Sequence, residues 1–473
     1  DPTVREFSEL VVDPAQGERC LEIYRNHTGS FPPNFMVNFK KKITLLHEVC
    51  EHDWTEFALL LIENGADCNV QTRSGKTPLM IACRLSNEKL VHAMLELKTT
   101  DINKKDEKNA GLLHYGCKGR SAEIVKKLLE MGLDPSELSQ GGKAPLHCAA
   151  AVGTSDQVQL LLDAGVYVDP ITELDDATPL IYAVKSGDFN SCRVLLEHRA
   201  NINHTSYYMN AAVVAVSNGD AEMLELLLQP KYHANLHRVH GMATHMAIES
   251  GSLDVLKLLL PIKPKTMDKL YNDRTCLHFA VEKKQVDIVD FLLESNANAN
   301  IQCKSWNEMY KVTPLVMAVA LGQEEIVAKL LPYSDPNIPC SWPLYEGENF
   351  TALHVSVLVE TVECLQILMT HPKIDASLAT KTQSTNTFWR GLTPEDLAYR
   401  KGLNEYLTYL QGGFPDISSQ FISSGIQFVR DAAKGTMRSS DNDRTIENGR
   451  KRLQSSVKKF TSGRIKHRRH NSE

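Results

Sequence analysis

The sequence predicts an all-α repeat solenoid, a stack of helix-turn-helix units with protruding loops or short β-hairpins, capped at both ends. The first observation is a short pattern that returns at a nearly constant interval. With Thr178 as marker, the equivalent positions are Thr44, Thr77, Gly111, Ala144, Thr178, Asn210, Met242, Thr275, Thr313, Thr351 and Thr393. The early intervals are 32 to 34 residues and the last three are 38, 38 and 42, which makes eleven units. The second is a glycine at a fixed later offset, as at Gly153, Gly187, Gly219, Gly251, Gly322 and Gly402. The third is length: 473 residues exceed one ordinary globular domain, whereas a repeat array escapes that limit because each unit contacts only its neighbours.

The stretch from Ala177 to Asn203 shows the unit. Thr178 is suited to N-cap a helix, and Pro179 to its first position, where a missing N–H costs nothing. Leu180, Ala183 and Val184 follow at helical spacing, and Gly187 suits the left-handed turn that ends the helix. A second amphipathic helix runs through Val194, Leu195 and Leu196, and Ala200-Asn201-Ile202-Asn203 leads into an extended loop. Two helices this short cannot bury their own apolar faces and need copies on either side.

The heads of the units read Thr44-Leu45-Leu46-His47, Thr77-Pro78-Leu79, Ala144-Pro145-Leu146-His147, Thr178-Pro179-Leu180, Thr275-Cys276-Leu277-His278, Thr313-Pro314-Leu315 and Thr351-Ala352-Leu353-His354. With endings such as Asn64-Gly65-Ala66-Asp67, this pattern resembles the ankyrin repeat over roughly residues 40 to 412. The resemblance implies a turn plus two helices per unit and a concave surface of loops and first helices that grips a protein. It also implies that His47, His114, His147, His245, His278 and His354, all in one slot, hydrogen-bond within and between neighbouring turns. Asn210-Ala211-Ala212-Val213 and Met242-Ala243-Thr244-His245 lack the proline, and Pro261 to Asp273 lacks the usual ending. The last unit, Thr393-Pro394-Glu395-Asp396, replaces Leu-His with acidic residues, as suits a terminal repeat facing water.

In chain order, residues 1–42 lie outside the repeat phase. Val4, Phe7, Leu10 and Val11, then Cys20, Leu21 and Tyr24, have helical spacing, and the segment is expected to cap the first repeat or to serve as a separate binding arm. Repeats 1 to 8 occupy 43–312 and repeats 9 to 11 occupy 313–412. The early loops are short and mixed in charge; Tyr207, Tyr208 and Tyr271 are their aromatic residues. The late intervals carry insertions at the repeat 8–9, 9–10 and 10–11 junctions, with Trp306, Tyr310, Trp342, Tyr345, Phe388 and Trp389. Insertions in such arrays map to one face, and tryptophan and tyrosine are enriched in interface hot spots. These residues either form a partner site or pack on one another. Residues 413–434 are expected to form a capping helix, and 435–473 a basic disordered tail.

That tail holds 11 Lys/Arg against 4 Asp/Glu, a balance of +7, while the other 434 residues carry −13. Arg450, Lys451, Arg452, Lys458, Lys459, Arg464, Lys466, Arg468 and Arg469 could meet an anionic membrane, nucleic acid or an acidic protein, or act as a nuclear signal. Ser472 follows Arg468-Arg469 as in basophilic kinase sites, and its phosphorylation would offset part of that charge.

A hydrophobic content of 42% with 23% charge fits a folded, soluble chain. No apolar run reaches the ~18 residues of a membrane span. The start at Asp1, with no basic-plus-apolar leader, leads us to expect a fragment or processed form. Eleven cysteines without a Cys-x-x-Cys pair, three of them (Cys50, Cys83, Cys117) at one repeat position, read as small buried thiols of a reducing compartment. His233, His237, His240 and His245 lack the partners of a zinc site. No nucleophile elbow, Walker loop, kinase signature or His-Glu-x-x-His occurs. We therefore expect no catalysis, cofactor, metal or small-molecule substrate. The expected function is a cytoplasmic interaction scaffold or adaptor, monomeric or part of a hetero-complex, with nuclear entry through the tail as the other location. The alternatives are the recognition arm of a larger kinase, lipase, ubiquitin ligase or channel, and a tether to membrane or nucleic acid through the tail.

Overall fold

The computed structural model describes residues 7, 10–27, 31–207, 209–234, 240–262, 266–305, 310–342, 347–382 and 391–411. The chain divides into two compact units, Asp1–Leu259 and Leu260–Glu473. The division falls beside the stretch where the sequence lacks its usual repeat ending.

In the first unit the helix pairs are Leu45–Glu51 with Thr55–Glu63, Pro78–Arg84 with Glu88–Glu96, and Leu112–Lys118 with Ala122–Glu130. They continue with Pro145–Val152 and Ser155–Asp163, Pro179–Ser186 and Phe189–Glu197, Ala211–Asn218 and Ala221–Leu227, then His240–Ser250 and Leu253–Leu259. Each first helix packs on the first helix of the next pair. The second unit repeats the scheme with Cys276–Glu282 and Val286–Glu294, Pro314–Ala320 and Glu324–Leu330, Ala352–Val359 and Val362–Met369, and Pro394–Lys401 and Asn404–Leu410.

The two helix types differ because their neighbours differ. A first helix lies between two others, so Pro78 through Cys83 are buried without a break, as are Ala211 through Val216. A second helix buries one stripe only, as Leu90, Val91 and Met94 do in Glu88–Glu96, and turns the rest to water.

Local chemistry sets the helix ends. Thr77 Oγ1 accepts from the Met80 amide at 3.2 Å, and Asn210 Oδ1 from the Val213 amide at 3.0 Å. The Asn210 head therefore starts its helix without proline. Thr178 occupies the N-cap position with Pro179 behind it, but its hydroxyl has no hydrogen-bond partner. Met242 has neither cap oxygen nor proline, and its helix begins upstream at His240. Gly153, Gly187, Gly219, Gly322 and Gly402 have φ between 63° and 77°. Where the same slot holds Asp53, Ser86, Lys284 or Glu360, φ is still 57° to 63°. The turn is thus imposed by the helix pair and not by glycine alone.

Ahead of the first marker, the helix Gly17–Asn26 is followed by a hairpin in which Met36–Asn38 pairs with Ile43–Thr44. This is a second helix and a loop in repeat order. Phe7, Tyr24, Phe31 and Phe57 cluster there, with Phe7 and Phe31 ring centroids 4.4 Å apart and Tyr24 and Phe57 5.2 Å apart.

Candidate functional site

The buried slot at the head of each unit is structural. In the first, His47 Nδ1 accepts from the Thr44 amide at 3.2 Å and lies 2.7 Å from Thr44 Oγ1. An Nδ1 that accepts an amide proton leaves the proton on Nε2, which donates to the Lys76 carbonyl at 3.1 Å. His147 spans in the same way to the Ala177 carbonyl, His278 to Val312 and His354 to Leu392, at 3.0–3.1 Å. His114 reaches the Lys143 carbonyl at 2.9 Å. Each imidazole therefore ties the start of one repeat to the loop that leads into the next. Burial pushes His47, His147, His278 and His354 down to about 4, so the rings are neutral at ordinary pH. In the last unit the Asp396 carboxylate takes over: Oδ2 accepts from the Thr393 amide at 2.9 Å and from its hydroxyl at 2.8 Å. Asp396 is thus a cap acceptor as well as a polar residue on a terminal repeat.

All eleven cysteines are buried and none is joined in a disulfide, and burial raises the Cys50 and Cys83 thiols well above their usual range. Among the described residues no three His, Cys, Asp or Glu side chains converge as a metal would require. No described helix is long and apolar enough to cross a membrane.

The accessible feature of the first unit is its edge of loop tips, which are hydrogen-bonded to one another. The Arg73 amide donates to the Lys41 carbonyl at 2.8 Å, Glu107 to Ser74 at 3.1 Å, Gln140 to Lys108 at 2.7 Å and Glu173 to Gly141 at 2.8 Å. Gly75 makes one step feasible: it has φ +78°, and a Cβ there would lie 2.7 Å from Asp106 Cα and the Glu107 nitrogen. Apolar side chains stand out along this edge, Phe39 at 80% exposure, Leu174 at 81% and Leu138 at 50%.

Of the sequence-predicted aromatic residues, Tyr207 lies on this edge, 67% exposed, with its hydroxyl donating to the Leu174 carbonyl. Tyr271, in the second unit, sits in a two-residue bridge with Arg274. The late insertions form strands there. Cys303–Ser305 pairs with Tyr310–Val312, and Gly347–Phe350 pairs with both Cys340–Trp342 and Lys381–Thr382. The 9–10 and 10–11 insertions therefore share one sheet, whose inward residues Cys340 and Phe350 are buried. Tyr310 and Trp342 lie on these strands. Tyr208, Trp306, Tyr345, Phe388 and Trp389 lie outside the described residues, as do the expected capping helix, the basic tail and Ser472.

Sequence reasoning missed Phe39 and Leu174 and the grouping of charge along the edge. Residues 36–42 fall in the segment read as a cap, which separates them from Ile43–Thr44 and from the later loops. Superimposing loop tips by repeat phase would have shown it.

The family model described as ankyrin repeats (3 copies) matches residues 19–106, 113–206, 209–305 and 244–340. Among curated relatives, the human transient receptor potential cation channel subfamily A member 1 is 29% identical over 167 residues, 34% of this chain and 15% of the channel. A zebrafish (Danio rerio) neurogenic locus notch homolog protein 1 is 30% identical over 137 residues, 29% of this chain and 6% of that protein. The probable 26S proteasome regulatory subunit p28 of Saccharomyces cerevisiae is 27% identical over 179 residues, 37% of this chain and 74% of the subunit. The matched part is thus a small share of the first two relatives.

Proposed function

The chain belongs to the ankyrin-repeat family, and from that premise we propose that it is a non-catalytic scaffold or adaptor that binds a protein partner. Ankyrin repeats are in general protein–protein interaction modules. The observation that carries the reading is the edge of mutually bonded loop tips with Phe39, Leu174 and Tyr207 held in water. Large exposed apolar side chains on a rigid frame offer contact area at little entropic cost. The tryptophan-bearing insertions are a second candidate surface in the other unit. An open edge without a water-excluding pocket is a poor setting for electrostatic catalysis, and we assign no reaction, cofactor or metal to the chain.

The small share of the channel and notch relatives that is matched favours one further reading, that the repeats are the recognition arm of a longer protein. We place the protein in the cytoplasm, with the tail 435–473 as a tether to membrane or nucleic acid. Affinity capture with the whole chain, a chain cut at Gly413 and a triple W306A/W342A/W389A variant tests these assignments. Retention of the same partners by all three would exclude the tail and the tryptophan loops and leave the loop-tip edge. Capture of no specific protein by the whole chain would end the scaffold reading.

A further inference from the structure

The loop-tip edge of the first unit is ordered by charge. The hairpin segments 36–44, 69–77 and 103–111 hold eight Lys or Arg against two Asp or Glu, in a chain of net charge −6. Among the described residues Lys40, Lys41, Lys42, Arg73, Lys104 and Lys108 take part in no ion pair. One of the two acids is engaged locally: Asp106 accepts from the Lys108 and Ala110 amides and from the Tyr115 hydroxyl, all at 2.8–2.9 Å. Two segments later the sign reverses, because 169–178 contains Asp169, Glu173, Asp175 and Asp176 and no base. Leu174 and Tyr207 stand exposed at that end. The tip-to-tip amide bonds hold this sequence of charges in a fixed order.

We propose that this edge binds an extended acidic segment of a partner protein, with its carboxylates over residues 40–108 and an apolar side chain against Leu174 and Tyr207. The proposal deepens the scaffold reading and rests on it. Unpaired cations lined up on one rigid edge favour a polyanion. A bilayer or a nucleic-acid backbone, however, is negative along its whole length and would be repelled by Glu173 and Asp176 on the same edge. A polypeptide can end its acidic run where the edge turns acidic and present an apolar residue there.

The test is fluorescence anisotropy with the full chain and a labelled peptide of consecutive glutamates followed by Ser-Leu-Phe. Phosphatidylserine vesicles and a peptide with lysine in place of glutamate are the comparators. The expected result is peptide binding that weakens with salt. It should weaken by about tenfold or more in the K40E/K41E/K42E/R73E/K108E chain. L174S should weaken binding of this peptide but not of a glutamate peptide that ends in Ser-Ala-Ala. These side chains are exposed, and an unchanged circular dichroism spectrum and melt would establish that the variants fold. Absence of peptide binding, equal binding by the charge-reversed chain, or preference for vesicles overturns the proposal. If the charge-reversed chain still captures the protein partners of the wild type, this assignment fails while the scaffold reading stands.

Discussion

A histidine in the head slot is useful because it is neutral. In His47, His147, His278 and His354, Nδ1 accepts an amide proton while Nε2–H donates across to the next repeat, and a second proton would place N–H against N–H. The folded rings titrate near 4 and unfolded ones near 6.5. The unfolded chain therefore binds more protons between these values. The stability contribution is complete above about pH 6.5 and declines as pH falls toward 4, by on the order of 1–3 kcal/mol per histidine. Urea midpoints measured from pH 7.5 to 4.5 should fall, and H147N, which can donate but not titrate, should lower that slope. A second residue-scale outcome concerns Lys284, exposed at φ 57° in the slot that elsewhere holds glycine. K284G should stabilise by roughly 0.5–1 kcal/mol, since glycine adopts that conformation without the Cβ penalty. A lower midpoint would count against this account of the turn.

At the scale of the element, the loop is as ordered as the helices because each tip bonds to the next. Gly75 sits where two tips meet, and G75A would drive a Cβ into the Asp106–Glu107 backbone. The expected effect is loss of the Glu107-to-Ser74 bond at a cost of about 1–3 kcal/mol. Hydrogen exchange at the Glu107 amide would then rise with little change at Leu128, a fully buried residue of the neighbouring second helix. The cap of the last repeat is a parallel case. D396A removes the acceptor of the Thr393 amide and hydroxyl and should cost about 1 kcal/mol, read as fraying of Pro394–Lys401.

At the scale of the molecule, the chain has two compact units, each with its own buried first helices. Repeat stability is a sum of neighbour terms and need not be cooperative across a break. Trp54 is the one tryptophan of Asp1–Leu259, and Trp306, Trp342 and Trp389 lie in Leu260–Glu473. Fluorescence of W54F therefore reports the second unit, and that of the W306F/W342F/W389F chain reports the first. The two urea transitions should have separate midpoints; a single shared midpoint would show that the units unfold together.

What could be read from the amino acids was whatever repeats at short range. Thr or Asn before an apolar run, proline at the first helical turn and glycine after it act through neighbours a few residues away, so they are visible in any one unit and multiplied by eleven. The ankyrin assignment, the helix pairs and the shared histidine slot follow from them. The tertiary structure alone decided what depends on residues about 33 positions apart. It decided that Lys284 and Glu360 adopt a glycine conformation, and that the head-slot histidines reach the loop of the next repeat. It also set the strands of the last two insertions in one sheet and lined Lys40–Lys42, Arg73 and Lys108 along one edge. Those outcomes arise from contacts between repeats, and a periodic signal in sequence records that repeats stack without recording which charges the stacking brings side by side.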